Sequence, residues 1–292
     1  MSLFRGNAVR LLARTLLCLL MAGCVTVTTE PRAVYLEQDH QVHVQRLNCA
    51  EATAHVATAP ATAPGFDPAM IRVTTWNIHN QGDKGWREDL ARFGGNADLL
   101  LVQELVLRPD IRSTIEDAGL QWAMASSFQD VDIDIGVLTA ARVPPIATCT
   151  QRVVEPLLRI PKSAVITWYA LRGRPERLAV VNMHSINFSL SLGAYREQLD
   201  AMRDVLAQHR GPILFAGDLN TWTAGRYAAV QEVAAGLGLQ EISFEHDQRR
   251  LFLGKQLDHI FVRGLDWTAS SASEVTSSDH NPVHATLRLA LH

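Results

Sequence analysis

The feature that most restricts this chain is a recurring kind of strand end. "RVTTWN" stops on Asn77, "LLLVQE" on Glu104, "AVVNMH" on His184, and "ILFAGDLN" on Asp218 and Asn220. "KQLDHIFV" carries Asp258 where an apolar run begins, and "SSDHNP" sets Asp279 and His280 just before the last run. A single residue of this kind is usually a turn former or a solvated strand end. A whole set of carboxylates, amides and imidazoles at equivalent places calls for a common cause, because α/β scaffolds gather their sites at strand ends.

Between these ends the pattern alternates. "IRVTTWNIH", "DIGVLTA", "SAVITWYAL", "RLAVVNMHS", "QLDHIFV" and "PVHATLRLAL" read as strands, and the unbroken run in "ADLLLVQEL" implies burial on both faces. "GWREDLARF" has helical spacing, "RPDIRSTIEDAG" is a short helix stopped by Gly119, and a further helix lies around Gly225–Gly236. "GAYREQLDAMRDVLAQHRG" predicts a helix with Tyr195, Leu199, Met202 and Leu206 on one face. Interspersed helices among more numerous strands suit a layered α/β sandwich better than a bundle. The 292 residues suffice for a substantial core.

The N-terminus reads as a leader. Arg5, Arg10 and Arg14 precede the apolar run "LLCLLMAGC", the layout of a secretory signal. "LMAGC" resembles a bacterial lipobox, which implies lipidation at Cys24 and a signal peptide over 1–23. A plain signal peptide or a short uncleaved anchor is the alternative. Val25 after the cysteine resembles the sorting pattern for the outer membrane, so the protein is expected to be exported and lipid-anchored to the cell envelope, with its folded part outside the cytoplasm. Residues 24–68, rich in Thr, Ala and Pro, read as a tether carrying one short strand around Val42–Leu47, and a catalytic-size domain follows over 69–292.

Processing also changes the charge. Loss of three arginines and no acid takes the formal net charge from −3 to −6. Such a surface is not held on nucleic acid by charge alone. The lysines are Lys84, Lys162 and Lys255, so one near a site is notable. Cys49 and Cys149 remain after processing; in an oxidising compartment they are expected to pair, two separate buried thiols being the alternative.

The ordered motifs "WNI", "QE", "VNMH", "GDLN", "LDHIF" and "SDH" closely resemble the endonuclease/exonuclease/phosphatase superfamily of DNase-I-like phosphoesterases, over about residues 70–289. The resemblance implies a four-layered α/β sandwich: two central, mostly antiparallel sheets flanked by helices, with the site at one rim. It implies Mg²⁺, with Mn²⁺ as a substitute, held by Glu104 with Asn77 beside it and Asp279 as a second or outer ligand. His280 is then the base or a phosphate-stabilising imidazolium, oriented by Asp258. Asp218 aligns or deprotonates the attacking water, Asn220 donates to a phosphoryl oxygen, and His184 contacts phosphate or the leaving group. These residue types suit phosphodiester hydrolysis, which needs charge neutralised on phosphoryl oxygens and an activated water. His79 stands where an abasic-site endonuclease often has an acid, so a repair-nuclease reading is weakened.

Other residues carry two readings each. Lys162 is a phosphate contact or an exposed strand lysine, and Trp222 stacks on a substrate ring or packs under a rim loop. "SINFSLSLG" covers the core or lies against lipid. The expected function is metal-dependent hydrolysis of phosphodiesters by a monomer, as an endonuclease or other phosphodiesterase. A phospholipid or small phosphodiester is the alternative substrate, and an inert binding lipoprotein of the same fold is the alternative class. The chain has no G-x-S-x-G elbow and no H-E-x-x-H helix, which disfavours a serine hydrolase or a zinc protease.

Overall fold

The apolar runs read as strands over residues 71–289 take their places in two large sheets. The computed structural model describes residues 25–26, 31–36, 41–60, 62–189, 191–245 and 247–290. In chain order they form β1 (Val25–Thr26), β2 (Arg32–Leu36), β3 (Val42–Gln45), α1 (Cys49–Thr58), β4 (Gly65–Phe66), β5 (Ile71–Asn77), α2 (Trp86–Asn96), β6 (Leu99–Val106), α3 (Pro109–Asp117), β7 (Gln121–Asp130), β8 (Ile133–Ala141), β9 (Ala147–Val154), β10 (Pro161–Leu171) and β11 (Arg177–His184). There follow α4 (Gly193–Leu206), β12 (Ile213–Asp218), α5 (Ala224–Leu237), β13 (Gln240–Glu241), β14 (Leu251–Phe252), β15 (Lys255–Gln256), β16 (Asp258–Arg263), β17 (Leu265–Ala272) and β18 (Val283–Leu289).

Among the described residues the first sheet runs β17-β18-β5-β6-β8-β7-β2-β3, with β1 also on β7, and the second runs β13-β16-β12-β11-β10-β4, with β9 on β10. Most neighbours are antiparallel; β5 with β6, β11 with β12 and β4 with β10 are parallel. The two sheets face each other across Val73, Leu101, Tyr169, Val180, Leu214 and Ile260. Trp76, Leu90, Phe93 and Ile111 pack α2 and α3 on the outer face of the first sheet. Tyr195, Leu199, Met202 and Leu206, the face marked in the sequence, bury α4 against the second sheet and are each at most 1% exposed. Complete burial of such a side chain is worth roughly 1.5–3 kcal/mol. The result is a four-layered sandwich.

A polar bolt crosses the middle layer: Gln103 Nε2 donates to Asn182 Oδ1 at 2.6 Å, and Asn182 Nδ2 donates to Leu138 O at 2.9 Å. Both side chains are buried, so each hydrogen bond offsets a desolvation cost.

The stretch read as a tether is structured where it is described. β2 pairs with β7 in the first sheet, α1 packs on the outer face of the second, and β4 pairs with β10. The apolar residues of "RAVYL" explain the difference: Ala33, Val34 and Leu36 are buried. Cys49 and Cys149 form a disulfide, with Cα atoms 4.9 Å apart. β7, β9 and β17 are strands that periodicity did not mark, being rich in Ala, Ser and Thr. The leader 1–23 and Cys24 lie outside the described residues.

Candidate active site

Strand direction decides where the polar ends meet. β5 and β6 run parallel, as do β11 and β12, so Asn77, Glu104, His184 and Asp218 leave their strands at one end of the sandwich. β16 runs antiparallel to β12 and begins there, with Asp258 opposite Asp218. β18 is antiparallel to β5, which brings the preceding Asp279 and His280 to the same rim.

Backbone geometry sharpens these ends. β6 bulges between Val102 and Leu105, and Glu104 sits at φ 54°. Asn220 sits at φ 49°. Non-glycine residues held in this region cluster at functional sites. Gly217, at φ 140°, is required for packing as well, since a Cβ there would lie 2.0 Å from Met183 O.

Asp218 is the hub. Its Oδ2 accepts from Asn77 Nδ2 at 3.0 Å, and its Oδ1 accepts from the Asn220 amide at 3.0 Å. Burial pushes this carboxyl up to about 6, with Asp258 adding to the rise and His280 and the two hydrogen bonds opposing it. His280 Nε2 lies 3.8 Å away, and His280 Nδ1 donates to Asp258 Oδ2 at 2.7 Å. Burial alone would lower the His280 pKa, but Asp258 and Asp218 outweigh it and raise it to about 10. The two carboxylates thus favour the charged imidazolium form of His280.

Opposite lies a neutral imidazole. His184 Nε2 accepts from Lys162 Nζ at 3.0 Å and is 3.5 Å from Asp218 Oδ2 and 3.6 Å from Glu104 Oε1. Burial first, then Lys162 and His280, hold its pKa well below the usual value. Lys162 is thus drawn into the site by position, since β10 starts at this rim.

The rest of the expected set divides. Asn220 Nδ2 donates to Ser185 O at 3.0 Å, fixing the loop after β11. Asp279 stands outward: its side chain is 60% exposed and 3.8 Å from His79. Trp222 is half-buried, donates to Asn187 Oδ1 at 3.1 Å, and lies under the Arg226 guanidinium at 4.7 Å, so the packing reading describes it.

Two site residues went unmarked in the sequence. Asn80 Nδ2 donates to Glu104 Oε2 at 2.9 Å, from a loop whose positive φ values no sequence pattern announces. Ser278 Oγ donates to Asn77 O at 2.7 Å and accepts from the His280 amide at 3.0 Å. A serine two residues before a functional histidine is a readable turn signal.

The donors suit a hard, hydrated cation. Among the described residues no group of three or more His, Cys, Asp or Glu forms a closed cage. Glu104, partly exposed at the rim, with the Asn77 amide at the adjoining strand end, offers oxygen and leaves coordination to water, which is how Mg²⁺ is usually held. No thiolate takes part, and a tetrahedral zinc site does not fit.

The family model for the Endonuclease/Exonuclease/phosphatase family matches residues 74–280, which spans every motif named above. A "UPF0294 protein" of Vibrio campbellii is 39% identical over 214 residues, 73% of this chain and 76% of that one. The human Nocturnin catalytic domain with bound sulfate anion superposes with a TM-score of 0.59 at 14% identity, covering 78% of this chain and 97% of that one. The mannosyl-6-phosphatase Bt3783 of Bacteroides thetaiotaomicron gives 0.58 at 15% identity, covering 74% and 99%. With the fold, the motif order and the matched span in agreement, this chain belongs to the endonuclease/exonuclease/phosphatase family.

Proposed function

We propose that this protein hydrolyses phosphodiesters with Mg²⁺ and an activated water, acting as a monomer exported to the cell envelope and held there by lipid on Cys24. The observation that carries the reading is the buried Asp258–His280 pair set 3.8 Å from Asp218. A carboxylate whose pKa is raised by burial and an imidazole whose cationic form is favoured, side by side, suit in-line attack on a phosphate.

Asp218 takes a proton from the attacking water, its Oδ2 steadied by Asn77 and its Oδ1 by the Asn220 amide. His280 Nε2–H donates to a phosphoryl oxygen, and Asp258 fixes the ring and its charge. Lys162 Nζ, hydrogen-bonded to His184, is the donor for the leaving alkoxide. Water adds at phosphorus, one ester P–O bond breaks, and a phosphomonoester and an alcohol result. When bound, Mg²⁺ would supply positive charge against the phosphoryl oxygens, held by Glu104 with Asn77.

The test uses the full chain with bis(4-nitrophenyl) phosphate and with supercoiled plasmid, each with Mg²⁺ or EDTA. Mg²⁺-dependent turnover of at least one substrate, reduced roughly 100-fold or more by Asp218→Asn and by His280→Gln, is expected. Turnover that survives EDTA and both variants, or none from folded protein, overturns the reading; none at all would favour an inert binding protein.

A further inference from the structure

Most exposed large apolar side chains among the described residues lie at the end of the sandwich that holds the site. Leu157 and Leu158 are on the β9–β10 loop that leads into Lys162. Phe188 follows His184 by four residues. Leu251, Phe252 and Leu253 form the β14–β15 hairpin just before Asp258. Phe188 is 49% exposed and Leu253 73%. The two-residue turn is Leu253-Gly254, and such a turn normally carries polar or small residues, so Leu253 there with exposed Leu251 and Phe252 beside it is costly unless something covers it.

Three further observations say what does. First, the tips are joined into one surface. Glu155 Oε1 accepts from the amides of Asn187 and Phe188 at 2.8 and 2.7 Å, tying the first tip to the second. Trp222 bridges the second to the third, bonding Asn187 and meeting the Phe252 ring edge-on at 6.4 Å. Buried Arg226 clamps the middle tip through Ile186 O, Asn187 O and Ser189 Oγ.

Second, two of the three tips are cationic and the middle one is uncharged. Residues 156–160 carry Arg159 beside the buried Glu155, residues 250–256 carry Arg250 and Lys255 with no acid, and residues 186–192 carry no charge. Apolar side chains fringed by Lys and Arg are the make-up of surfaces that settle into the headgroup region of an anionic bilayer. The β7–β8 hairpin on the same rim has exposed Val131 and Ile133 but also Asp130 and Asp132, and is left outside the surface.

Third, β1 enters at this end, with Val25 opposite Asp130 at the rim end of β7. The described chain therefore enters the domain on the site's side rather than the far side.

We propose that these three tips dock on an anionic phospholipid bilayer and that the phosphodiester offered to the site is a phospholipid headgroup's. The substrate class rests on the phosphoesterase reading above; the docking surface does not.

The test compares the full chain with a variant carrying Leu157→Ser, Leu158→Ser, Phe188→Ser and Leu253→Ser. Hydrogen exchange is followed with and without vesicles of phosphatidylglycerol and phosphatidylcholine. Vesicles should slow exchange in segments 155–160 and 250–256 of the wild type at least tenfold, and not in the variant. The variant should lose tenfold or more of its turnover on vesicle phosphatidylglycerol while keeping that on bis(4-nitrophenyl) phosphate. Tips that exchange alike with and without vesicles overturn the docking, whatever the activity. Protected tips with turnover of the soluble diester and of plasmid, but not of phospholipid, overturn the substrate class. Loss of every activity, with the tips still protected, overturns the phosphoesterase reading and leaves the docking standing.

Discussion

Lys162 Nζ lies 3.0 Å from His184 Nε2, a cation donating to an imidazole that burial and that same cation keep neutral. The pair gives the site a positive charge opposite the His280 imidazolium. It also keeps His184 from carrying a proton between Glu104 and Asp218.

Lys162→Met removes both effects. The His184 pKa should climb, because one cause of its depression is gone, and turnover should fall roughly 100-fold, the scale of losing one donor to developing charge. Imidazole NMR titration and kcat/KM on a soluble phosphodiester check the two parts. An unchanged His184 titration would show that the contact is not held in solution.

The pH profile should have two limbs. Activity rises as Asp218 ionises around pH 6 and falls as His280 loses its proton near pH 10. In Asp258→Asn the anion that chiefly raises His280 is gone, so the alkaline limb should move down; the acid limb should move down too, since Asp258 also raises Asp218. A profile that keeps its alkaline limb would assign that limb to another group.

The disulfide closes a separation of 100 residues between Cys49 and Cys149. In the chain-entropy model a loop of that size contributes about 4–5 kcal/mol. Paired Cys49→Ser and Cys149→Ser changes should lower the urea midpoint by a matching amount, and reductant should then have no further effect on the variant. An equal midpoint with and without the bond would mean that the unfolded chain is already restricted.

His284 gives a stability test remote from the site. Its Nδ1 bonds Thr74 Oγ1 at 2.9 Å and its Nε2 bonds Ser273 Oγ at 3.0 Å; burial, then Arg92, bring its pKa down to about 4. The neutral ring is the one that folds, so its stabilisation is complete above about pH 6.5 and is lost as pH falls toward 4. The loss is on the order of 3 kcal/mol. His284→Gln should flatten the pH dependence of chemical denaturation in that window.

The sequence exposes most of the site because β-strand ends are local events. An apolar run that stops on Asn77, Glu104, His184 or Asp218 announces both the buried strand and the rim residue. Parallel pairing of β5 with β6 and of β11 with β12 then collects them. Residues that reach the site through the backbone of another segment leave no such mark. Asn80 depends on a turn of positive φ, and Lys162 on β10 starting at the rim. The N-terminal arm is opaque for a related reason: "RAVYL" is a five-residue run whose partner in β7 lies about ninety residues downstream, beyond any local period.

That arm has a chronology written into its registers. β2 waits for β7, Cys49 for Cys149, and β4 for β10, where Gly65 meets Ala170. It is the first described part of the chain to be synthesised and cannot be seated until residues near 170 have emerged. Non-local pairing of this kind is slow to form. A nascent chain will therefore carry the arm without all of its partners until more than half of the sequence has been made, available to whatever handles unfolded protein.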